Sequence, residues 1–173
     1  MPSGGNVRPT TDRVREAIFS SLGHGIEGTR VLDLFAGSGA LGFEALSRGA
    51  DFVTFVEKDS RALKTLAENA RTLKVSRDRY RIVRGDVLRS LKKTSSEEQV
   101  DWAFMDPPYE KGLIEPTLKM LVDGNWVRSG GGIIVDHSKR DAIPEGEGWS
   151  LEDRRVYGDV AVAWIGLGGE EGA

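Results

Sequence analysis

The chain has 173 residues, of which 39% are hydrophobic and 29% are charged, and its formal net charge is −3. This length and balance predict a single globular domain over residues 1–173 with a buried core, and the absence of cysteine excludes disulfides and thiolate metal sites. The two histidines, the lack of a long apolar run and the polar first ten residues predict a cytoplasmic protein that needs neither metal nor membrane.

Helix and strand patterns alternate along most of the chain. In chain order we predict a helix over 11–22, a strand over 29–37, a helix over 38–50, a strand over 52–59, a helix over 60–74, strands over 80–86 and 100–106, a helix over 113–123 and a strand over 131–137. Residues 151–167 predict two strands around a tight turn at Gly158-Asp159. We therefore expect an α/β fold with a parallel sheet, helices on both faces and an antiparallel pair at the end. Residues 1–7 and 168–173 are predicted to be flexible.

A glycine-rich loop separates the first predicted strand from the helix that follows it. The segment 37–42 reads GSGALG, and Glu57 ends the next strand about twenty residues after Gly37, which is the pattern of a dinucleotide-binding site. Glycines such as Gly37 and Gly39 let the backbone approach a ligand closely, and a carboxylate such as Glu57 can bind a ribose hydroxyl pair. The pattern alone predicts a ligand that contains ribose.

Asp33 favours one ribose-containing ligand over another. It lies at the end of the strand, four residues before the first glycine of the loop, where a carboxylate would repel a pyrophosphate and attract a cationic group. S-adenosylmethionine carries an ammonium, a sulfonium and a ribose but no phosphate, so Asp33 favours it over a nicotinamide cofactor. Alternatively, Asp33 binds backbone amides of the loop, and the two roles are compatible.

Further acidic residues end the neighbouring strands. Asp86 could accept a hydrogen bond from an adenine amino group, and the backbone amide of Val87 could complete its recognition. The alternative role of Asp86 is to cap a helix that begins at Val87. Asp33, Glu57, Asp86 and Asp106 each end a predicted strand, which is the edge of an open α/β sheet where ligands bind.

The segment Asp106-Pro107-Pro108-Tyr109 ends the fourth predicted strand. Two prolines stop a strand and hold the chain rigid, because proline lacks the N–H that a sheet requires. The Asp106 carboxylate and the Pro107 carbonyl could accept hydrogen bonds from an exocyclic amine, and the Tyr109 ring could stack on a planar base. This arrangement predicts the binding of an aromatic amine for group transfer.

Five sequence segments together resemble the RsmD-type 16S ribosomal RNA guanine-N2 methyltransferases. They are RPTTDRVREAIF, VLDLFAGSGALGFEALSRGA, FVEKD, DPPY and RRVYGD, and the resemblance extends from Arg8 to about Leu167. It implies a Rossmann-like methyltransferase fold with a mostly parallel seven-stranded sheet whose last strand is antiparallel. It also implies that S-adenosylmethionine methylates the N2 amine of a guanine of the position 966 type. The implied partner is 16S rRNA within the small ribosomal subunit or its assembly intermediate.

The resemblance also implies roles for individual residues. Asp106, Pro107 and Tyr109 would bind the target base, and Thr10, Thr11 and Arg13 would border the methionine end of the cofactor. Arg13 could equally be a substrate-binding residue or a residue of the helix surface. The other implied cofactor residues are Asp33, Gly37, Gly39, Glu57 and Asp86 with its neighbour Val87.

The sequence predicts that this chain by itself has a low affinity for RNA. Members of the family usually carry a basic segment before the RPT motif, whereas only MPSGGNV precedes it here. The net charge gives no global argument for nucleic acid, so RNA would have to meet local basic patches. The patches considered are Arg8 with Arg13 and Arg15, Lys92-Lys93, Lys139-Arg140 and Arg154-Arg155.

Three alternatives remain open at the level of sequence. The first is an amino-methyltransferase that acts on DNA adenine, on cytosine or on a protein glutamine amide. The second is a nicotinamide-binding oxidoreductase, which the glycine pattern permits but which leaves the DPPY segment unexplained. The third is a cofactor-binding module without catalytic activity.

Overall fold

A computed structural model describes residues 11–92 and 98–168, and of Thr11 only the backbone. Its helices are α1 (Thr11–Leu22), α2 (Ala40–Ser47), α3 (Ser60–Thr72), α4 (Val87–Leu91) and α5 (Ile114–Asp123), with 3-10 turns at Gly23–Ile26 and Arg77–Arg79. Its strands are β1 (Arg30–Leu34), β2 (Phe52–Glu57), β3 (Tyr80–Arg84), β4 (Val100–Met105), β5 (Val127–Ser138), β6 (Trp149–Tyr157) and β7 (Val160–Leu167). None of the helices in these ranges has the length and apolar character needed to cross a membrane.

The described strands form one seven-stranded sheet in the order β3-β2-β1-β4-β5-β7-β6. The first five strands in this order run parallel to one another, and β7 runs antiparallel to both β5 and β6. The mostly parallel sheet with an antiparallel last strand is therefore confirmed. The order reverses between β1 and β4, so the carboxyl ends of these two strands flank the position at which α/β sheets bind ligands.

Two apolar cores cover the two faces of the sheet. On one face α1, α2 and α3 pack against the strands through residues such as Phe19, Phe43 and Leu66, and on the other face α4 and α5 do so through Leu91 and Leu118. The central strands are buried on both faces, which explains why their sequences are continuous apolar runs without alternation. The prediction of helices on both faces is confirmed.

The structure differs from the predicted elements mainly at their ends. Strand β5 begins at Val127, ahead of the predicted residue 131, because its glycine-rich first half pairs with β4 through an irregular register. The short helix α4 was predicted only as a possibility and is present, with Asp86 as its N-cap. Gly168, assigned to the flexible tail, donates a backbone hydrogen bond to Gly148. Residues 1–7 and 169–173 lie outside the described ranges.

Candidate active site

A cleft of about 670 Å³ opens at the carboxyl ends of β1, β2, β3 and β4. It lies where the strand order reverses, and seven of its lining residues were predicted from sequence as site residues. These are Gly37, Glu57, Asp86 and Val87, together with Asp106, Pro107 and Tyr109 of the DPPY segment. The separate sequence motifs therefore converge on one cavity, because parallel strands bring their carboxyl ends to the same edge.

Glu57 holds the glycine loop against the end of β2. Its Oε1 atom accepts a hydrogen bond of 2.7 Å from the backbone N–H of Gly37, and its Oε2 atom accepts from the N–H groups of Lys58 and Asp59 at 3.1 and 2.9 Å. Gly37 has a φ of 59°, in the left-handed region that glycine adopts without strain. Both oxygens are thus oriented by the backbone, and the carboxylate still borders the cleft.

Asp33 binds the glycine loop from beneath. Its side chain is buried, and its Oδ2 atom accepts a hydrogen bond of 3.0 Å from the N–H of Gly42. A Cβ atom on Gly42 would lie 2.3 Å from the Phe55 ring and 2.9 Å from Asp33 Oδ2, so only glycine allows this approach. The loop-binding role considered for Asp33 is present, and Asp33 lies behind the residues that line the cleft.

Burial raises the pKa of Asp33 well above its usual range, and the nearby Asp106 and Glu57 carboxylates raise it further, while the Gly42 N–H opposes them. An acid in such a place attracts a positive charge, because a cation would stabilise its ionised form. The electrostatics of the site therefore agree with a cationic ligand, and the binding role of Asp33 remains a prediction.

Asp86 occupies the start of α4 on the wall of the cleft. Its Oδ2 atom accepts a hydrogen bond of 3.1 Å from the N–H of Arg89, which is the N-cap arrangement, and its Oδ1 atom lies 3.9 Å from Lys58 Nζ. Because Asp86 and Val87 both line the cleft, the capping role leaves them next to any bound ligand. The predicted contact with adenine stays a prediction.

The DPPY segment forms the opposite wall. The backbone N–H of Asp106 donates to the carbonyl of Leu34 at 3.3 Å, which extends the pairing of β4 with β1 by one residue before the prolines end it. Pro107 is buried, whereas Asp106 and Tyr109 are partly exposed to the cleft. The Tyr109 ring also packs against the apolar core beneath it, so its plane is held from one side.

Asp136 is a polar residue of this region that the sequence analysis missed. It lies in β5 directly after Val135. Val135 pairs with Met105 of β4, and Asp106 directly follows Met105, so the two aspartates occupy equivalent positions on neighbouring strands. Its buried carboxylate lies 3.3 Å from the Tyr109 hydroxyl, which donates to it. The signal was an aspartate at the end of the apolar run GGIIV, which is the same feature that identified Asp33 and Asp106.

Phe35 is a second missed residue. It lines the cleft with a φ of 59°, a conformation that is rare for an aromatic residue and that commonly occurs at functional sites. No local sequence signal indicates a positive φ at a phenylalanine.

The residues of the opening motif are only partly visible. Thr10 lies outside the described residues, and the backbone of Thr11 begins α1. The exposed guanidinium of Arg13 lies over the Tyr157 ring, 5.4 Å from its centroid. Arg13 is not among the described residues that line the cleft, so its contact with the cofactor remains a prediction.

The composition of the cleft fits S-adenosylmethionine. Three carboxylates line the cleft, those of Glu57, Asp86 and Asp106, and the rest of the lining is largely apolar; Lys58, the cation among the described lining residues, lies near Asp86. A nucleoside with a cationic side chain matches this set of groups, whereas a pyrophosphate would meet three carboxylates. Of the described residues, no group of three or more histidines, aspartates or glutamates is arranged to hold a metal ion.

Comparisons with known proteins identify the family and agree with the fold. The model of the family described as "Conserved hypothetical protein 95" matches residues 1–166. The ribosomal RNA small subunit methyltransferase D of Escherichia coli (strain K12) is 38% identical over 162 residues, which are 93% of this chain and 80% of that protein. The solved structure of the putative methyltransferase yhhF from Escherichia coli superposes with a TM-score of 0.83 and 36% identity, covering 95% of this chain and 89% of that one.

A more distant structure shares the fold alone. It is a putative methyltransferase solved in complex with SAH, with a TM-score of 0.72 and 17% identity over 92% of this chain and 50% of that one. The family model spans nearly the whole chain, and the curated relative is matched over most of its length. The chain therefore belongs to the RsmD family of ribosomal RNA small subunit methyltransferases.

Proposed function

We propose that this methyltransferase transfers a methyl group from S-adenosylmethionine to the N2 amine of one guanine in 16S rRNA, on the small ribosomal subunit or its assembly intermediate. We also propose that residues 1–173 form a single domain and that the protein acts in the cytoplasm. The observation that supports it best is the position of Asp106 and Tyr109, which form a rigid wall of the same cleft that carries Glu57 and Asp86.

The chemistry expected of Asp106 follows from the weakness of an aryl amine as a nucleophile. The amine lone pair is delocalised into the ring of the base, and acceptors on its hydrogens oppose that delocalisation and orient the lone pair. The Asp106 carboxylate and the Pro107 carbonyl are suited to this role, because the two prolines fix the backbone between them.

The remaining residues would orient the two reactants. S-adenosylmethionine, when bound, supplies the electrophilic methyl group. Glu57 would hold its ribose, Asp86 with the Val87 amide its adenine, and the loop from Gly37 to Gly39 its methionine side, with Asp33 as a negative charge beneath. Tyr109 would hold the base by stacking, and the product amine would lose its proton readily, so no strong base is needed.

The test is transfer of labelled methyl groups from S-adenosylmethionine to small ribosomal subunits purified from cells that lack this enzyme. Naked 16S rRNA, DNA and a protein glutamine substrate are tested in parallel, and the methylated nucleoside is identified by mass spectrometry. We expect N2-methylguanosine in the particles. Labelling of DNA or of protein in place of rRNA would refute the proposed substrate, and a methylated base other than N2-methylguanosine would refute the proposed position.

A further inference from the structure

The charge of this chain is unevenly distributed. Residues 58–92 contain eleven lysines and arginines and four acidic residues, a formal charge of +7, although the whole chain has 24 basic and 27 acidic residues and a net charge of −3. The rest of the chain therefore carries −10. Such an asymmetry within one chain indicates a surface that attracts polyanions.

The fold brings this segment to one edge of the molecule. It comprises α3, the turn Arg77–Arg79, strand β3 and helix α4, and β3 is the terminal strand of the sheet. Three of its basic side chains have partners. Arg79 donates to the carbonyls of Leu46 and Ala50, Lys58 lies 3.9 Å from Asp86, and Arg81 lies 3.9 Å from Glu98.

The other eight basic side chains are exposed, and none of them forms an ion pair with an acidic residue in the part of the chain that is described. We call these eight the basic edge. They are Arg61, Lys64, Arg71, Lys74, Arg77, Arg84, Arg89 and Lys92.

The basic edge reaches the mouth of the cleft. On α3, Arg61, Lys64 and Arg71 lie on one face at spacings of three and seven residues, opposite the buried Leu66 and Ala70. Arg61 and Lys64 lie in the first half of α3, directly after Glu57 and Lys58, which line the cleft.

Strand β3 extends the same surface. Arg84 is two and four residues after Ile82 and Tyr80, so the three side chains point to the same face of β3. Tyr80 and Ile82 pack in the core that contains α3, and Arg84 therefore lies on the face of the sheet that α3 covers. It pairs in register with Glu57 and is followed by Gly85 and Asp86 at the cleft.

Protection of an edge strand does not account for this charge. One or two charged residues on β3 suffice to deter the addition of another strand, and seven of the eight members of the basic edge lie outside β3. Unpaired cations close together repel one another, and this cost is recovered when a polyanion binds and its counterions are released.

We propose that the basic edge binds the phosphate backbone of the ribosomal RNA next to the target guanine. This inference rests on the proposed function and adds the surface on which the RNA lies. The contacts would position the RNA without reading its sequence, because phosphates carry no sequence information. The acidic remainder of the chain would repel RNA and so restrict it to this side.

The experiment compares two triple variants with the same change in charge. Arg61→Gln/Lys64→Gln/Arg84→Gln removes three members of the basic edge near the cleft. The control, Lys119→Gln/Arg128→Gln/Lys139→Gln, removes three exposed cations that are paired with Asp123, Asp101 and Asp159. Binding to unmethylated small ribosomal subunits is measured by filter binding from low to high salt, with cofactor affinity from calorimetry as a readout of folding.

For the edge variant we expect binding that is ~10-fold or more weaker near physiological salt. The slope of log affinity against log salt concentration should become shallower by about two, because each phosphate contact contributes roughly 0.7 to this slope on single strands. Cofactor affinity and kcat at saturating subunits should stay at the wild-type values while KM for subunits rises. Equal affinity of the edge variant and wild type, or an equal loss in both triple variants, would overturn the inference.

Two further results separate this inference from the proposed function. Wild-type binding without methyl transfer, with the predicted loss in the edge variant, would refute the proposed reaction and support the surface. Methyl transfer by the wild type, with unaltered binding in the edge variant, would support the proposed reaction and refute the proposed RNA-binding surface. If the triple variant fails to bind cofactor, the single variants Arg61→Gln and Lys64→Gln carry the test, since each changes one exposed position, and a salt slope unchanged in both would overturn the inference.

Discussion

The Tyr109 hydroxyl donates a hydrogen bond of 3.3 Å to the buried carboxylate of Asp136, across 27 positions of sequence. Asp136 follows Val135, the last residue of β5 that pairs with β4, and Asp106 follows Met105, the partner of Val135. The ring proposed to stack on the base is therefore oriented from behind by a residue of the neighbouring strand. We therefore expect Asp136 to act as a positioning residue through Tyr109.

The first prediction tests that role. Asp136→Leu should lower the single-turnover rate of methyl transfer by about tenfold, equivalent to ~1.4 kcal/mol, because Tyr109 loses an acceptor that orients it. Asp136→Asn retains an acceptor oxygen and should restore most of the rate. In a Tyr109→Phe background, Asp136→Leu should have little further effect, since coupled residues are not additive. Fully additive losses in this double-mutant cycle would show that Asp136 does not act through Tyr109.

The second prediction concerns Asp106. Asp106→Ala removes the proposed acceptor for the amine and should reduce kcat by roughly 100-fold or more, in the range measured for single groups that stabilise a transition state. Calorimetry should give an affinity for S-adenosylhomocysteine within a few-fold of wild type. Methylation at the wild-type rate by Asp106→Ala would remove the catalytic role assigned to this residue.

The third prediction separates stability from function at Asp33. The pKa of Asp33 is raised in the folded state, so the folded protein holds this proton at pH values where the unfolded chain has released it. The free energy of unfolding therefore falls as the pH rises above 3.8, the usual pKa of an aspartate. Asp33→Asn keeps an acceptor for Gly42 without the charge and should raise the free energy of unfolding at neutral pH.

The same Asp33→Asn variant should bind S-adenosylmethionine more weakly, by about 10- to 100-fold, because it removes the negative charge beneath the cationic ligand, and two opposite charges near a protein surface attract each other by roughly 1–4 kcal/mol. Thermal unfolding and calorimetry measure the two effects separately. Increased stability with unchanged cofactor affinity would assign Asp33 to the loop alone.

The fourth prediction concerns Gly39. A Cβ atom there would lie 2.3 Å from Leu66 Cδ1 and 2.6 Å from the Phe43 ring, and φ is 87°. Gly39→Ala should therefore lower the free energy of unfolding by about 1–3 kcal/mol through overpacking and backbone strain.

Gly25→Ala is the matched control for Gly39, because no described atom lies within 4 Å of its Cβ position and its φ is not positive. It should be neutral or slightly stabilising. Urea unfolding of the two variants makes the comparison, and equal stabilities would contradict the packing shown around Gly39.

The fifth prediction is a pH dependence of stability at His137. Its side chain is fully buried in β5, its Nδ1 atom lies 2.8 Å from the Ser138 carbonyl, and its Nε2 atom has no hydrogen-bond partner among the described residues. Burial lowers the pKa of His137 below its usual value of 6.5. The unfolded chain therefore binds the proton first, and stability falls as the pH falls below about 6.5.

Replacing His137 with leucine should flatten this part of the stability profile between about pH 7 and pH 5.5. His24 provides the control, because it is exposed and Glu27 raises its pKa. Its contribution to the free energy of unfolding therefore has the opposite pH dependence: it is present below the pKa of the unfolded state and is lost as the pH rises. Urea unfolding across this pH range distinguishes the two histidines. A profile that is as steep in His137→Leu as in wild type would contradict the assignment.

The sequence alone determined most of the architecture and the position of the candidate site. Apolar runs and amphipathic periods predicted the strands and helices, because burial on one or both faces follows directly from residue order. The glycine loop with Glu57 and the DPPY segment were local patterns, and parallel strands necessarily bring such strand ends to one edge.

The tertiary structure decided what depends on contacts between segments distant in sequence. The bond of Tyr109 to Asp136 exists because β5 pairs with β4, and the burial of Asp33 depends on the packing of Gly42 against β2. The basic edge was missed, apart from Lys92, because charges were considered as adjacent pairs, whereas its members are spread over α3, the turn Arg77–Arg79, β3 and α4 at the terminal strand of the sheet. Local propensity carries no information about which elements become neighbours, because strand pairing and core packing set that choice.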